Sequence, residues 1–197
     1  NSSLLLLSIN KVKLIFLIIK PILHWLLRFP FIFKIQQKMN NYDAIRNEFL
    51  NYLNTKNNKI LEIGCSTGNA SKEIINLEDN DHIGIDINER YINEAKKNSI
   101  LGNYKKMDAR YLDFENNFFD LILINSMIHH CNDKDAKLIF KQAERVLKED
   151  GKILFAEPIF SKKDILSIFL LNLDRGKFIR SVDKYKKLLS NLKVERQ

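Results

Sequence analysis

From Lys59 onward the chain alternates between two patterns. Short apolar runs occur at 59–63 (KILEI), 82–86 (HIGID), 103–107 (NYKKM), 119–125 (FDLILIN) and 152–157 (KILFAE). Their length predicts strands, and the stretches between them, at about 69–77, 88–98 and 133–148, predict helices. In the last helix Leu138, Ile139, Ala143, Val146 and Leu147 form the inner face, and Asp150–Gly151 turns the chain into the fifth strand. Strands alternating with helices predict an α/β domain with a doubly wound, mostly parallel sheet covered on both faces. Such sheets bind ligands at the carboxyl ends of their strands, near the switch in strand order.

Before Lys59 the pattern changes. Residues 41–54 predict a helix with Ile45, Phe49 and Tyr52 or Leu53 on its apolar face. Residues 11–33 read KVKLIFLIIKPILHWLLRFPFIF. A membrane-spanning helix needs about 20 mostly uncharged apolar residues, and here Lys20, Pro21 and Arg28 interrupt every candidate window. Lys13, Lys20, His24 and Arg28 fall on one helical stripe, and the rest of the surface is Leu, Ile, Phe and Trp25. This is a basic amphipathic pattern in two helical pieces that meet at Pro21. It suits peripheral contact with an anionic membrane surface, a lid over a greasy substrate, or a helix packed on the domain with its lysines snorkelling outward. The expected organisation is a helical extension, residues 1–40, followed by the α/β domain, residues 41–197.

Composition refines this picture in two places. The net charge of +8 is uneven: residues 1–42 carry +6 with no Asp or Glu, which leaves +2 for the other 155 residues. The basic pI therefore describes the extension, and no nucleic-acid partner is expected of the globular body. The two cysteines, Cys65 and Cys131, share no metal-ligand spacing with a His pair, so free thiols in a reducing cytoplasm and no metal are expected. Leu4–Leu7 is too short for a signal-peptide core, and a chain that starts at Asn1 is expected to lack its true start.

The chemistry starts at the end of the first strand, where residues 60–69 read ILEIGCSTGN. An acidic residue precedes a turn that uses Gly64 and Gly68 for a sharp bend and close approach, and Asn69 or Thr67 can cap the helix that follows. A dinucleotide site wants G-x-G-x-x-G with pyrophosphate on the helix N-terminus. Counting from Gly64, the second and third glycine positions hold Ser66 and Asn69, so that pattern fails twice. A ligand with an amino-acid tail, a sulfonium and an adenosine fits a glutamate and small residues better.

ILEIGCSTGN resembles motif I of the class I S-adenosylmethionine (SAM)-dependent methyltransferases, with Ser66 where that family most often has Gly. The resemblance implies a Rossmann-like sheet and SAM as cofactor. It places Glu62, Gly64, Cys65 and Gly68 around the methionine part of SAM, with Ser66 and Asn69 also among the cofactor-binding residues. Asp86 lies 18 residues after Gly68, where an acidic side chain accepts from both ribose hydroxyls, unless it only caps the helix at Asn88. Ile87 then lies against the adenine face. Asp108 and Ala109 fit the family's adenine contacts, with Asp113 as the competing choice. Asn125 and Ser126 sit beside the methionine part and the incoming substrate.

His129 and His130 are the candidates for a catalytic base, because histidine titrates near neutral pH, although the same pair recurs in relatives with different substrates. Zinc held by His129, His130 and Cys131 lacks a visible fourth ligand. The resemblance covers residues 58–158, with Glu157–Pro158 closing the fifth strand. In the later stretch LDRGKFIRSVDKYKKLL, Arg175, Lys177 and Arg180 meet an anionic substrate or merely cover the surface.

The family's fold has seven strands. After Pro158 only 39 residues remain, with helices expected at 165–173 and 182–191 and LKVERQ opening a sixth strand, so the chain is expected to be truncated. The function implied is methyl transfer to a small-molecule or lipid-like acceptor in the cytoplasm or on the inner face of the membrane. The alternatives are a SAM-binding module without catalysis and an NAD-type oxidoreductase. A nucleic-acid methyltransferase normally shows an aromatic-bearing motif after the fourth strand, where this chain has NSMI.

Overall fold

The computed structural model describes residues 47, 49, 52, 56–69, 75, 77–99, 101–159 and 176–189. They belong to a compact unit that spans 43–160 and 176–197. The basic N-terminal segment, the helix expected at 165–173, the stretch LKVERQ and most of the helix expected at 69–77 lie outside the described residues.

Five strands form one sheet: β1 (Lys59–Ile63), β2 (Asp81–Asp86), β3 (Asn103–Lys106), β4 (Phe119–Asn125) and β5 (Leu147–Ala156). Their order is β3-β2-β1-β4-β5, and every neighbouring pair is parallel. The sheet is therefore the doubly wound one expected, with its switch in strand order between β1 and β4. Burial explains the near-continuous apolar runs, since Ile60, Leu61, Ile63, Ile122, Leu123 and Ile124 are all closed off from solvent on one face or the other.

Helix α1 (Glu89–Asn98) is capped by Asn88, whose side chain accepts from the Arg90 N–H at 3.0 Å. Its buried Ile92 and Ala95 pack with Cys65 and Tyr104. Helix α2 (Asp133–Val146) is capped by Asn132, which accepts from the Asp135 N–H at 2.9 Å. Ala136, Ile139, Phe140, Ala143 and Val146 bury its inner face against Leu61, Ile63, Ile83, Ile85, Ile122 and Ile124. Ala136 and Phe140 thus join that face, whereas Leu138 is only half-buried. Helix α3 (Val182–Leu188) follows Ser181 and buries Tyr185.

One boundary differs from expectation. β5 starts at Leu147, five residues before the predicted strand. Phe119 pairs with Leu147, yet Leu121 pairs with Lys152, so the extra residues of β5 bulge between two pairing positions. Asp150 and Gly151 sit in that irregularity instead of a separate turn. Gly151 fits there because a Cβ would stand 2.7 Å from the Leu147 side chain and 3.0 Å from the Asp120 carbonyl oxygen.

Candidate cofactor site at the sheet switch point

The chain leaves β1 through a turn in which Gly64, Ser66 and Gly68 all have left-handed backbone, with φ of 79°, 50° and 76°. The turn is anchored to β2. The N–H groups of Gly64 and Cys65 donate to the Ile85 carbonyl at 2.8 and 3.0 Å, and the Gly68 N–H donates to the Cys65 carbonyl at 3.0 Å. Ser66 is the one non-glycine among the three, and its left-handed backbone costs about 1–2 kcal/mol relative to Gly. Its N–H donates to Asp86 Oδ2 at 3.1 Å, which offsets that strain.

Packing also explains the two glycines. A Cβ on Gly68 would stand 3.0 Å from the Tyr104 hydroxyl and 3.2 Å from Ala95 Cβ. A Cβ on Gly64 would meet Met127 Cγ at 2.5 Å. In this structure the close approach at both positions comes from the protein's own side chains. Ser66 Oγ and Thr67 Oγ1 are buried and find no hydrogen-bond partner among the described residues. Asn69 opens the helix after the turn.

Glu62, just before the turn, is buried with its Oε2 3.2 Å from His82 Nε2. His82 Nδ1 has no partner among the described residues, so the ring proton is assigned to Nε2, which donates to the carboxylate. Asp86 ends β2. Besides Ser66 it accepts the Asn88 N–H at 2.8 Å through Oδ1, while Asn88 itself caps α1. Burial holds the Asp86 carboxyl above the usual range, although the N–H groups of Asn88 and Ser66 favour its charged form, and the charge of Glu62 adds to the rise. Ile87, directly after it, is exposed. Cys65 is buried, and burial followed by the charges of Glu62 and Asp86 pushes its thiol far up. Its side chain packs with Ile92, Ala95 and Tyr104, and a thiol held protonated is a poor nucleophile.

Past β3, Asp108 is bound by the Arg110 guanidinium, with Nε at 3.0 and 3.1 Å and NH2 at 2.7 Å. The hydrogen bonds from Arg110 hold the Asp108 carboxyl below the usual range. Arg110 also reaches Asp135 on α2 at 3.2 Å, which ties this loop to the helix. Ala109 packs on the core, and Asp113 is exposed.

At the end of β4, the Ser126 hydroxyl donates to Asn125 Oδ1 at 3.2 Å, and Ser126 is left-handed with φ of 52°. A short 3-10 helix, Ile128–His130, follows. The two candidate bases separate here. His130 is exposed. His129 is buried, with Nδ1 2.6 Å from Glu157 Oε2 and Gly176 packed on its ring so closely that a Cβ there would overlap Cδ2. His129 is built into the fold through that contact.

Sequence reasoning did not single out Met127, and it treated Glu157 only as the end of a strand. The available signal was positional, because Glu157 follows β5 as Asp86 ends β2 and Asn125 ends β4. Arg180 also takes a different place from the substrate-facing one considered for it. It is buried, its Nε and NH2 lie 2.8 Å from Asp133 Oδ1, and it donates to the carbonyls of Ile128, Cys131 and Phe178 at 3.1, 2.6 and 2.9 Å. Its donors serve the fold. Lys177 is exposed, and Arg175 lies outside the described residues.

Comparison with known proteins bears on the family and the fold. Residues 60–151 match a family model described as "Methyltransferase domain". The chain is 27% identical over 154 residues to phosphoethanolamine N-methyltransferase 3 of Arabidopsis thaliana, covering 75% of this chain and 31% of that protein. It is 27% identical over 151 residues to the ubiquinone/menaquinone biosynthesis C-methyltransferase UbiE of Vibrio campbellii, covering 69% of this chain and 58% of that one. Its fold resembles a SAM-dependent methyltransferase from Archaeoglobus fulgidus, with a TM-score of 0.63 at 20% identity, covering 83% of this chain and 74% of that one.

Proposed function

We propose that this chain, whose residues 60–151 match the methyltransferase-domain model, is a class I SAM-dependent methyltransferase that transfers a methyl group from SAM to a small-molecule or lipid-like acceptor. The observation that carries this reading is the turn after β1. Three left-handed residues curl it at the switch point, its Ser66 N–H is held by Asp86, and two buried hydroxyls in it are unmatched among the described residues. The residues present fit the cofactor. Ser66 and Thr67 supply hydroxyls with no partner among the described residues, and Asp86 retains lone pairs for the ribose beyond those used by Ser66 and Asn88. Ile87 offers an exposed apolar face for adenine.

Bound SAM supplies a methyl group on a sulfonium that is already strongly electrophilic, so alignment provides much of the rate. Asp86 takes the ribose hydroxyls, and Asp108 with the Ala109 backbone takes the adenine edge. Glu62, which accepts from His82 Nε2 at 3.2 Å, sits beneath the methionine end. Asn125 and Ser126 face the acceptor beside the cofactor. A base is needed only where the acceptor atom carries a proton. Exposed His130 is the histidine proposed to serve then, because His129 is buried with its Nδ1 committed to Glu157.

Phosphoethanolamine and quinone precursors, taken from the names of the relatives, are the first acceptors to try. Calorimetric titration with SAM, S-adenosylhomocysteine and NAD, followed by radiolabelled methyl transfer to those acceptors, tests the proposal. Micromolar binding of the first two ligands with no binding of NAD is expected. Tight NAD binding without SAM binding would overturn it, and SAM binding without transfer to any acceptor would leave a binding module. The basic stretch 11–33 is proposed to hold the chain at an anionic membrane surface. Co-sedimentation with anionic vesicles, with and without residues 1–40, checks this, and equal pelleting of the two forms would refute it.

A further inference from the structure

Glu157 lies just after β5, and its carboxylate is closed off from solvent. Oε1 accepts the N–H groups of Met127 and Ile128 at 2.7 and 2.5 Å. Oε2 accepts the His129 N–H at 3.2 Å and faces His129 Nδ1 at 2.6 Å. Three consecutive backbone donors and one ring therefore converge on a single charged side chain. Tyr185 brings its hydroxyl to 3.5 Å, and burial with the nearby Glu157 charge pushes that phenol up to about 12. Hydrogen bonds to an ionised acceptor are roughly twice as strong as neutral ones.

The first of those donors belongs to Met127, whose side chain lies on the turn after β1. Met127 Cγ and Cβ come within 2.5 and 2.8 Å of where a Cβ on Gly64 would be. Met is a flexible side chain that takes the shape of its surroundings. Its place is set here by its backbone, pinned on Glu157 behind and following the left-handed Ser126. The contact thus links the end of β5 to the end of β1, with β4 between them. Asp86 and the Asp108 loop lie on the opposite side of β1, after β2 and β3.

We infer that Glu157 is a positioning residue for the methionine half of the cofactor: it holds the Met127–His129 backbone so that Met127 seats on the Gly64 turn. This rests on the proposal that the 64–68 turn binds SAM. The sheet order makes the inference selective, because the adenosine contacts lie across β1 from Met127. Losing Glu157 or the Met127 side chain should therefore weaken a ligand with an amino-acid tail and spare one without it.

The test compares S-adenosylhomocysteine with methylthioadenosine, which lacks the tail, by calorimetry on the full chain and on Glu157→Gln, Met127→Ala and Met127→Leu. An amide has one acceptor oxygen, so Glu157→Gln cannot serve both sides of its cluster. Glu157→Gln and Met127→Ala are each expected to weaken S-adenosylhomocysteine about ten-fold, the scale of one lost charge-assisted bond. Methylthioadenosine should change by less than about two-fold, and Met127→Leu, of similar volume, should restore binding. Equal weakening of both ligands, or none, in folded variants would overturn the inference. Should Glu157→Gln fail to fold, the ratio for Met127→Ala decides alone. An unaltered chain that binds neither ligand would sink the cofactor proposal itself, whereas one that binds both while its variants show no selectivity would sink only this inference.

Discussion

Asp86 Oδ2 accepts the Ser66 backbone N–H at 3.1 Å across 20 residues of sequence, so the side chain that ends β2 also shapes the turn after β1. One carboxylate thereby stabilises a strained non-glycine turn and is the group proposed to take a ligand's hydroxyls. Its ionisation should control both.

Burial raises the Asp86 carboxyl above its ordinary value of 3.8. The charged form accepts hydroxyls, so affinity for S-adenosylhomocysteine should decline as pH falls through that raised value, at higher pH than an unperturbed Asp would produce. The effect on folding has the opposite sign. A carboxyl raised in the folded state contributes stability below its unfolded value that is lost as pH rises through the folded one. Calorimetry from pH 7 downward checks the first expectation. Asp86→Asn should bind weakly with no such pH step, and an unchanged step in that variant would assign it to another group.

Arg180 gathers Asp133 and three carbonyls around a buried guanidinium. Arg180→Met leaves those carbonyls without their donor, while Asp133 stays solvated with its side chain 74% exposed. Urea unfolding should show a loss of about 1–3 kcal/mol. Arg180→Lys should recover little of it, since an ammonium cannot reproduce the planar fork. Full recovery in the Lys variant would show that charge alone matters.

Gly68 combines φ of 76° with Tyr104 and Ala95 at 3.0 and 3.2 Å from a would-be Cβ. Gly68→Ala should cost about 1–2 kcal/mol for the backbone alone, with crowding added. Thermal unfolding monitored by circular dichroism reads this directly. A variant as stable as the parent would mean that the turn relaxes without penalty.

Both thiols are pushed above their ordinary value, chiefly by burial, with Glu62 and Asp86 adding to the effect at Cys65 and Asp135 and Glu157 at Cys131. Neither should act as a nucleophile near neutral pH. Alkylation with iodoacetamide followed by mass spectrometry should find both slow in the native protein, with half-buried Cys131 reacting before buried Cys65. Rapid modification of Cys65 in folded protein would contradict its place in the core.

The strands were legible because a parallel sheet buried on both faces demands unbroken apolar runs, and KILEI and FDLILIN supply them. The turn after β1 was legible for the same local reason: Gly64, Ser66 and Gly68 are small residues in one short stretch. β5 was read too short because a bulge depends on pairing with β4, which local pattern does not encode.

Local order along the chain thus determined the element sequence, the doubly wound sheet and the position of the glycine turn after β1. Tertiary structure alone decided what each polar side chain does there. Glu157 meets Met127 across 30 residues, Arg180 meets Cys131 across 49, and Ser66 is held by Asp86 across 20. His129 and His130, adjacent and chemically identical, part ways only when Glu157 and Gly176 close around the first of them. Strand and helix follow from periodicities of two and 3.6 residues within one segment, whereas hydrogen-bond partners are set by which strand ends the sheet order brings side by side.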